Sequence, residues 1–466
     1  MNTPSNASAY SVEVPHAPAA FSARDEAIMY GGVTDVPGTP ILSGTSVAPS
    51  TPVTFGVAYT RSPNSSRAMS PPVLGSPSGW GRRSVESQLQ PTLPYTKEFV
   101  DEYRRRMKND PDPEAQFAFA MYLIDAAKRI SDPTDTAKQA RRYRDALLAD
   151  SLRTIKRLAS GGLTPGKPPY ADAQFFLASC FGTGSLGLPV DHTKSYHLYV
   201  QASKQNHPAA TYRTAVCNEV GAGTKRNNQR GVLFYRKAAS LGDTAGMYKL
   251  GMILLHGLLD QAPHPREAIV WLRRAAGQAD EDNPQALYVL AQLHEDPEST
   301  IVVYNEAYAR DLYTQAAQLG HAPSQCRLGE AFSQGTLACP VDARTSVGWY
   351  TKAANKGDGV AELALSGWYL IGAENVLQQS DSEAYLWARR AANKGVVNAE
   401  YAVGHYAEVG IGTPVDLEEA RRWYTRAAAQ GHERAAQRLR DLRTSGGRVR
   451  SWHKTRSDVE SECVVM

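Results

Sequence analysis

The stretch Pro340-Val341-Asp342, followed seven positions after the aspartate by Trp349-Tyr350-Thr351-Lys352-Ala353-Ala354-Asn355-Lys356-Gly357, decides the fold because it recurs. Close copies run from Pro189-Val190-Asp191 to Tyr199 and Ala202, and from Pro414-Val415-Asp416 to Trp423-Tyr424 and Ala427-Ala428. Looser copies lead from Asn227 to Phe234-Tyr235 and Ala238-Ala239, and from His264 to Trp271 and Ala275-Ala276. Two more lead from Asn305 to Tyr313 and Ala316-Ala317, and from Ser380 to Trp387 and Ala391-Ala392. In all seven the polar residue stands eleven positions before the first alanine. Those alanines are spaced by 36, 37, 41, 37, 38 and 36 residues, a sustained period that marks stacked structural repeats.

Each unit reads as two helices. The first half carries apolar residues at helical spacing, as in Ala361, Leu363, Ala364 and Trp368, and ends in a glycine-bearing turn such as Gly182 and Gly184, Gly221 and Gly223, or Gly410 and Gly412. The Asp, Asn or Ser that follows is placed to cap a second helix, with Asp416/Glu419 and Ser380/Glu383 reading as capping boxes. That second helix buries its aromatic pair, presents alanines where another helix approaches, and stops at Gly242, Gly320, Gly357, Gly395 or Gly431. One hairpin cannot bury both faces of its helices, whereas stacked neighbours can. The expected fold is therefore all-α: an α-solenoid of helix hairpins with tails at both ends. The fourth unit lacks a glycine turn between His294 and Asn305 and contains the longest step.

This pattern of spacing, caps, aromatic pair and Ala-Ala over about 170–440 resembles the Sel1-like repeats, relatives of the tetratricopeptide repeats. The resemblance implies a tetratricopeptide-like superhelix.

At 466 residues, 42% hydrophobic and 21% charged, the chain holds a sizeable core with residues to spare. No apolar run reaches membrane-spanning length, and the start at Met1 lacks the basic and apolar regions of a signal peptide. Residues 1–95 hold 13 of the 28 prolines, many serines, and five acidic against five basic residues, and read as a disordered Ser/Pro-rich head. Helical patterning begins with Phe99, Val100 and Tyr103, continues through Pro113–Ala127 and again over Tyr143–Leu158, and makes 96–165 a helical N-terminal cap. Residues 166–443 form the repeat array, and 444–466 a basic tail. Cys180, Cys217, Cys326 and Cys339 show no metal or redox spacing and read as reduced, small apolar residues.

Between Arg438 and Arg456 lie seven Lys or Arg and one Asp, a net charge above the +4 of the whole chain. The last four residues, Cys463-Val464-Val465-Met466, fit a prenylation box, with Met favouring farnesyl on Cys463. One lipid chain gives only reversible membrane binding, so a second signal is needed. Arg443, Arg448, Arg450, Lys454 and Arg456 supply it towards an anionic lipid surface. The expected location is the cytosolic face of the plasma membrane, with a prenyltransferase as a transient partner. Nucleic acid is not an expected partner, since no reader motif accompanies these residues.

No catalytic, metal or cofactor constellation stands out. Gly182-Thr183-Gly184-Ser185-Leu186-Gly187 fits G-x-G-x-x-G but follows a helix instead of a strand, and reads as a turn. His321 and His432 stand at helix starts, where Asp243 and Asp358 stand in other units, and His294-Glu295 lacks the second histidine of a zincin motif. A repeat array of this kind holds partners.

The disordered head, Pro111-Asp112-Pro113-Glu114-Ala115-Gln116-Phe117-Ala118-Phe119-Ala120, seven repeats and the Cys463 ending together resemble the fungal chitin synthase activators. That resemblance implies a non-catalytic regulatory subunit that binds and activates a chitin synthase at septa or growth sites, with septum or bud-neck scaffold proteins as further partners. The alternatives are an adaptor of a signalling or degradation complex and, more remotely, a hydrolase.

Overall fold

The structure is a computed structural model that describes residues 94–108, 110–130, 136–161 and 168–444. Among the described residues there are eighteen α-helices and no strand. The first three are α1 (Lys97–Met107), α2 (Pro113–Arg129) and α3 (Ala137–Ala159). Seven hairpins follow. They are α4 (Ala171–Thr183) with α5 (His192–Lys204), α6 (Pro208–Val220) with α7 (Asn228–Ser240), α8 (Thr244–His256) with α9 (Pro265–Ala276), and α10 (Gln285–Glu295) with α11 (Glu306–Gln318). Then come α12 (Ala322–Gln334) with α13 (Ala343–Asn355), α14 (Gly359–Ile371) with α15 (Asp381–Asn393), and α16 (Val397–Val409) with α17 (Leu417–Ala429). A last helix, α18 (Glu433–Thr444), closes the series. Each helix packs principally on the one before it and the one after it, which is the architecture of an α-solenoid.

Within each hairpin the helices cross where both carry a small residue. The first helices present Ala178, Ala215, Gly251, Ala291, Gly329, Ser366 and Gly404 there, all buried. The second helices answer with Ser195, Gly231, Ala268, Ala309, Ser346, Ala384 and Ala420, also buried. Close approach lets Ser195 Oγ donate to the Ala178 carbonyl and Ser346 Oγ to the Gly329 carbonyl, both at 2.7 Å. A Cβ on Gly329 or Gly404 would sit 2.8 Å from the ring of Tyr350 or Tyr424. The second member of each aromatic pair thus fills the space that the small residue opposite leaves open. The pair is not equally buried: Tyr350 is enclosed while Trp349 is only half-buried. The sixth hairpin has Ala388 in the tyrosine slot, and Tyr406 from the next hairpin, 1% exposed, reaches its Ser366 hydroxyl at 3.2 Å.

Two recurrent hydrogen-bond patterns fix the joints. Inside every hairpin, the backbone N–H of the residue that caps the second helix donates to a carbonyl near the end of the first, from Asp191 to Phe181 through Asp416 to Ala407, at 2.7–2.9 Å. Six of these seven residues also cap with their side chains, while His264 does not. Between hairpins, the residue that starts the next first helix donates back to the leading alanine of the pair: His207 to Ala202, Asp243 to Ala238, His321 to Ala316, Asp358 to Ala353 and His432 to Ala427. This is the Schellman closure, with Asn206, Gly242, Gly320, Gly357 and Gly431 in the left-handed conformation it requires.

Several expectations are corrected. Only half of each expected capping box forms. The Ser380 hydroxyl accepts from Glu383 N–H, and Asp416 from Glu418 and Glu419 N–H, but neither glutamate returns the bond. Glu419 instead meets the Tyr385 hydroxyl and Trp423 Nε1. A complete box forms at Thr136/Gln139, so α3 begins at Ala137, six residues before the Tyr143 start read from periodicity. Gly182 lies inside α4, and Gly184 is the cap. In the fourth unit the extra length is shared between the loop 296–305 and an eight-residue link, 277–284, ahead of α10, where α7 and α8 are joined by three residues. The loop still closes, since Asn305 N–H donates to the His294 carbonyl at 2.9 Å and His294 Nδ1 pairs with the Val303 carbonyl at 2.8 Å.

The cap is built on the same plan as the repeats. Ala120 of α2 faces Ser151 of α3, whose hydroxyl donates to the Ala120 carbonyl at 2.8 Å, as Ser195 does to Ala178. The head 1–93 and the tail 445–466 lie outside the described residues.

The second glycine of a Gly-x-Gly turn touches the preceding hairpin. A Cβ on Gly412, at φ +67°, would stand 2.0 Å from the Asp381 carbonyl oxygen, whereas one on Gly431, at φ +91°, would meet nothing within 4 Å. Gly412→Ala is therefore expected to cost about 1–3 kcal/mol of overpacking on top of the left-handed strain that Gly431→Ala incurs alone. Thermal unfolding of the two variants side by side checks this, and equal losses would contradict it.

Candidate interaction surfaces of the repeat array

His321 and His432 stand at helix starts as expected, and His207, which the sequence reading did not single out, does so too. His207 and His432 accept the N–H of Ala210 and Ala435 on Nδ1, each at 3.1 Å, and their rings stack on Phe175 and Tyr401 of the preceding hairpin. His207 Nε2 donates to Asp172 at 3.0 Å, and that bond holds the carboxyl below its usual range. His321 pairs through Nδ1 with Ser324 Oγ at 2.8 Å. Burial pushes the thiols of Cys180 and Cys326 up to about 12 and that of Cys217 up to about 11, so they stay protonated and serve as packing groups. Among the described residues no three His, Cys, Asp or Glu side chains converge as metal ligands, and no helix is long and apolar enough to cross a membrane.

Three hairpins carry a polar relay. The Tyr235 hydroxyl donates to Glu219, Tyr313 to Glu295 and Tyr424 to Glu408, at 2.5–2.7 Å. Each glutamate also meets a cation from the following first helix: Lys249, Arg327 and Arg438. Burial and the neighbouring glutamate raise the Tyr313 phenol well above its ordinary range, so it remains a donor. Glu362 and Glu400, 0% and 1% exposed, are held by Arg390 with Lys394 and by Arg426 with Gln430. Arg390 and Arg426 lie over Trp387 and Trp423, and Arg274 and Lys352 repeat that stack over Trp271 and Trp349. The carboxylate pairs tie one helix to the next, and burial keeps Glu362 and Glu400 away from a partner.

The loops between paired helices form the exposed apolar edge of the array. Val190, Val341 and Val415 of the three Pro-Val-Asp motifs are 56%, 71% and 57% exposed. In the fourth unit the loop without glycine adds Ile301, Tyr304 and Val303, the last 82% exposed, and Tyr308 follows in the first turn of α11. These four exposed apolar residues lie within eight positions of one another in the chain. Of the expected membrane-facing residues, Arg443 is exposed in the last turn of α18, while Arg448, Arg450, Lys454, Arg456 and Cys463 lie outside the described residues.

The Sel1 repeat matches residues 171–207, 208–243, 244–280, 284–321, 322–358, 359–396 and 397–432. The chain belongs to the Sel1 repeat family. Over 368 residues it is 35% identical to chitin synthase regulatory factor 3 of Schizosaccharomyces pombe, covering 78% of this chain and 39% of that one. Over 345 residues it is 34% identical to chitin synthase regulator SKT5 of Saccharomyces cerevisiae, covering 73% and 49%. The chain thus spans less than half the length of either relative. Among solved structures it superposes with a TM-score of 0.57 and 20% identity on a protective antigen of uropathogenic Escherichia coli displaying an SLR fold, covering 78% of this chain and 71% of that one. That likeness shows the fold alone.

In the Sel1 register, counted from the first residue of each match, the polar relay becomes regular. Glu219, Glu295 and Glu408 stand at position twelve, Lys249 and Arg327 at position six of the following unit, and Arg438 six residues past the end of the last match. That pairing of positions was available in the sequence, although the aromatic pair and the alanines dominate the pattern and hide it. Gln174, Gln325, Glu362 and Glu400 share position four in the same way.

Desolvation, followed by the charge of Lys356, lowers the His321 pKa to about 4, against an ordinary value of 6.5. Between those pH values the unfolded chain binds the extra proton and the folded chain does not. Stability from this residue is therefore complete above about pH 6.5 and lost as pH falls towards 4, by roughly 2–3 kcal/mol. Urea unfolding of His321→Asn should show a flatter pH dependence through this window, and an unchanged slope would refute the assignment.

Proposed function

We propose that this chain is a non-catalytic regulatory subunit that binds a chitin synthase, raises its activity and holds it at the cytosolic face of the plasma membrane. The observation that carries this reading is the 34–35% identity, over about three quarters of the chain, to two fungal proteins named as chitin synthase regulators. The Sel1 fold by itself carries much less, because such folds serve many functions. The repeats supply a long surface, and the apolar patch at Ile301–Tyr308 is where a cytosolic segment of the synthase docks in this reading. A farnesyl group on Cys463 and the charges of Arg443, Arg448, Arg450, Lys454 and Arg456 hold the complex at anionic lipid.

Full-length tagged protein recovered from detergent-solubilised fungal membranes is expected to bring down a chitin synthase. Val303→Asp, at an exposed position, should reduce that capture at least several-fold without changing thermal stability. Recovery of signalling proteins without any synthase would replace this reading with that of an adaptor.

The anchor is checked separately. Cys463→Ser should move the protein from the membrane fraction towards the cytosol and lower chitin synthase activity in isolated membranes, and unchanged partitioning would remove the lipid from the proposal.

A further inference from the structure

Charge is divided unevenly along the chain. Residues 171–437 hold 24 Lys or Arg against 27 Asp or Glu, whereas 96–170 hold 15 against 11. α3 alone exceeds that balance, since its 23 residues carry seven basic and two acidic side chains. Its buried face is Leu147, Ser151, Ile155 and Leu158. The opposite face carries Lys138, Arg141, Arg142 and Lys156, all exposed. Their spacing of three, four and eighteen residues places them in one line about 27 Å long. Arg153, on the same side, is paired with Asp150, and Asp150 is also held by Arg104 of α1. Among the described residues no hydrogen bond or ion pair engages the four cations of the line.

We infer that this face of α3 is a second contact with an anionic lipid surface, made at the opposite end of the array from the basic tail. The inference rests on the membrane reading above and extends it to a folded element. Three features favour lipid over other anionic partners. The line follows a single convex helix, so all four charges come within a Debye length of a plane at once. Between them the exposed residues include Gln139, Asp145, Ala146 and Ala149, so the face offers no large apolar group around which a protein interface builds its dry centre. No exposed aromatic ring lies in the line to stack on a base.

The test uses the full-length Cys463→Ser chain, which carries no lipid, with phosphatidylcholine vesicles made with and without phosphatidylserine. Replacing Lys138, Arg141, Arg142 and Lys156 together by glutamine should lower partitioning onto phosphatidylserine vesicles at least about tenfold and leave the weak binding to pure phosphatidylcholine unchanged. Circular dichroism should show unchanged helix content, as the four side chains are exposed. A parallel set with Arg448, Arg450, Lys454 and Arg456 replaced measures the tail independently. Undiminished binding of the α3 variant to phosphatidylserine vesicles overturns the inference. So does loss of an acidic protein or nucleic acid partner at unchanged vesicle binding. Because lipidation is absent throughout, failure of the Cys463 anchor in cells and failure of the α3 contact are distinguishable.

Discussion

The array depends on how closely the two helices of each hairpin cross. A small residue on each side, such as Gly329 against Ser346 or Ala178 against Ser195, brings backbone near enough to side chain for a serine hydroxyl to reach a carbonyl of the facing helix. The ring next to the crossing then has a cavity of its own size to occupy. Enlarging the small residue drives a Cβ into that ring, and removing the ring opens a void, so the two positions constrain each other. The sixth hairpin meets the same constraint differently, with Ala388 in the ring position and Tyr406 entering from the neighbouring hairpin. The third hairpin sets Leu272 against Gly251, so the residue beside the crossing varies in kind from unit to unit.

Hairpin geometry is passed along the chain by residues that belong to two helices at once. Asp243 and Asp358 each start a helix with their side chains while their own N–H closes the helix before, and His207 and His432 do the same with a ring nitrogen. A turn of three residues with both ends satisfied has little freedom, which sets the angle between successive hairpins. His321 and Val396 close the helix before without capping the next one by side chain, and the link 277–284, which adjoins the unit with the open apolar loop, departs from the arrangement altogether.

Periodicity makes the fold legible in the sequence, because the same local problem is solved seven times and the solutions align. Helix caps, turn glycines and the buried tyrosines are read directly from their spacing. The capping boxes were over-read, since Glu419 has a better use bridging to Tyr385 than bonding backward, and spacing says nothing of that competition. The start of α3 was missed because Thr136 and Gln139 lie ahead of the apolar stripe, where only the cap marks the helix. The polar relays keep a regular register too, but the stronger pattern of aromatic pair and alanines hides it. The expected membrane residues are legible as composition alone, with only Arg443 falling on described structure.

Repetition also limits where recognition can reside. Most positions that recur are committed to packing: the tyrosines, the alanines and the charges of the relays are used between helices, while the Trp–cation stacks brace single helices and the valines of the Pro-Val-Asp motifs stay exposed. A surface for a particular partner must then come from what does not recur. In this chain those features are few: the glycine-free loop whose exposed apolar residues His294 helps to position, and the outward face of α3, whose charge no other helix of the array repeats. They differ in kind, one apolar and the other cationic. An apolar patch gains its energy by excluding water at a fitted contact, while a line of cations acts across solvent on any surface of opposite charge. In the proposed reading, their separation along an array of mildly acidic repeats gives a protein partner and a lipid surface different elements to meet, and neither contact touches the packing that holds the hairpins together.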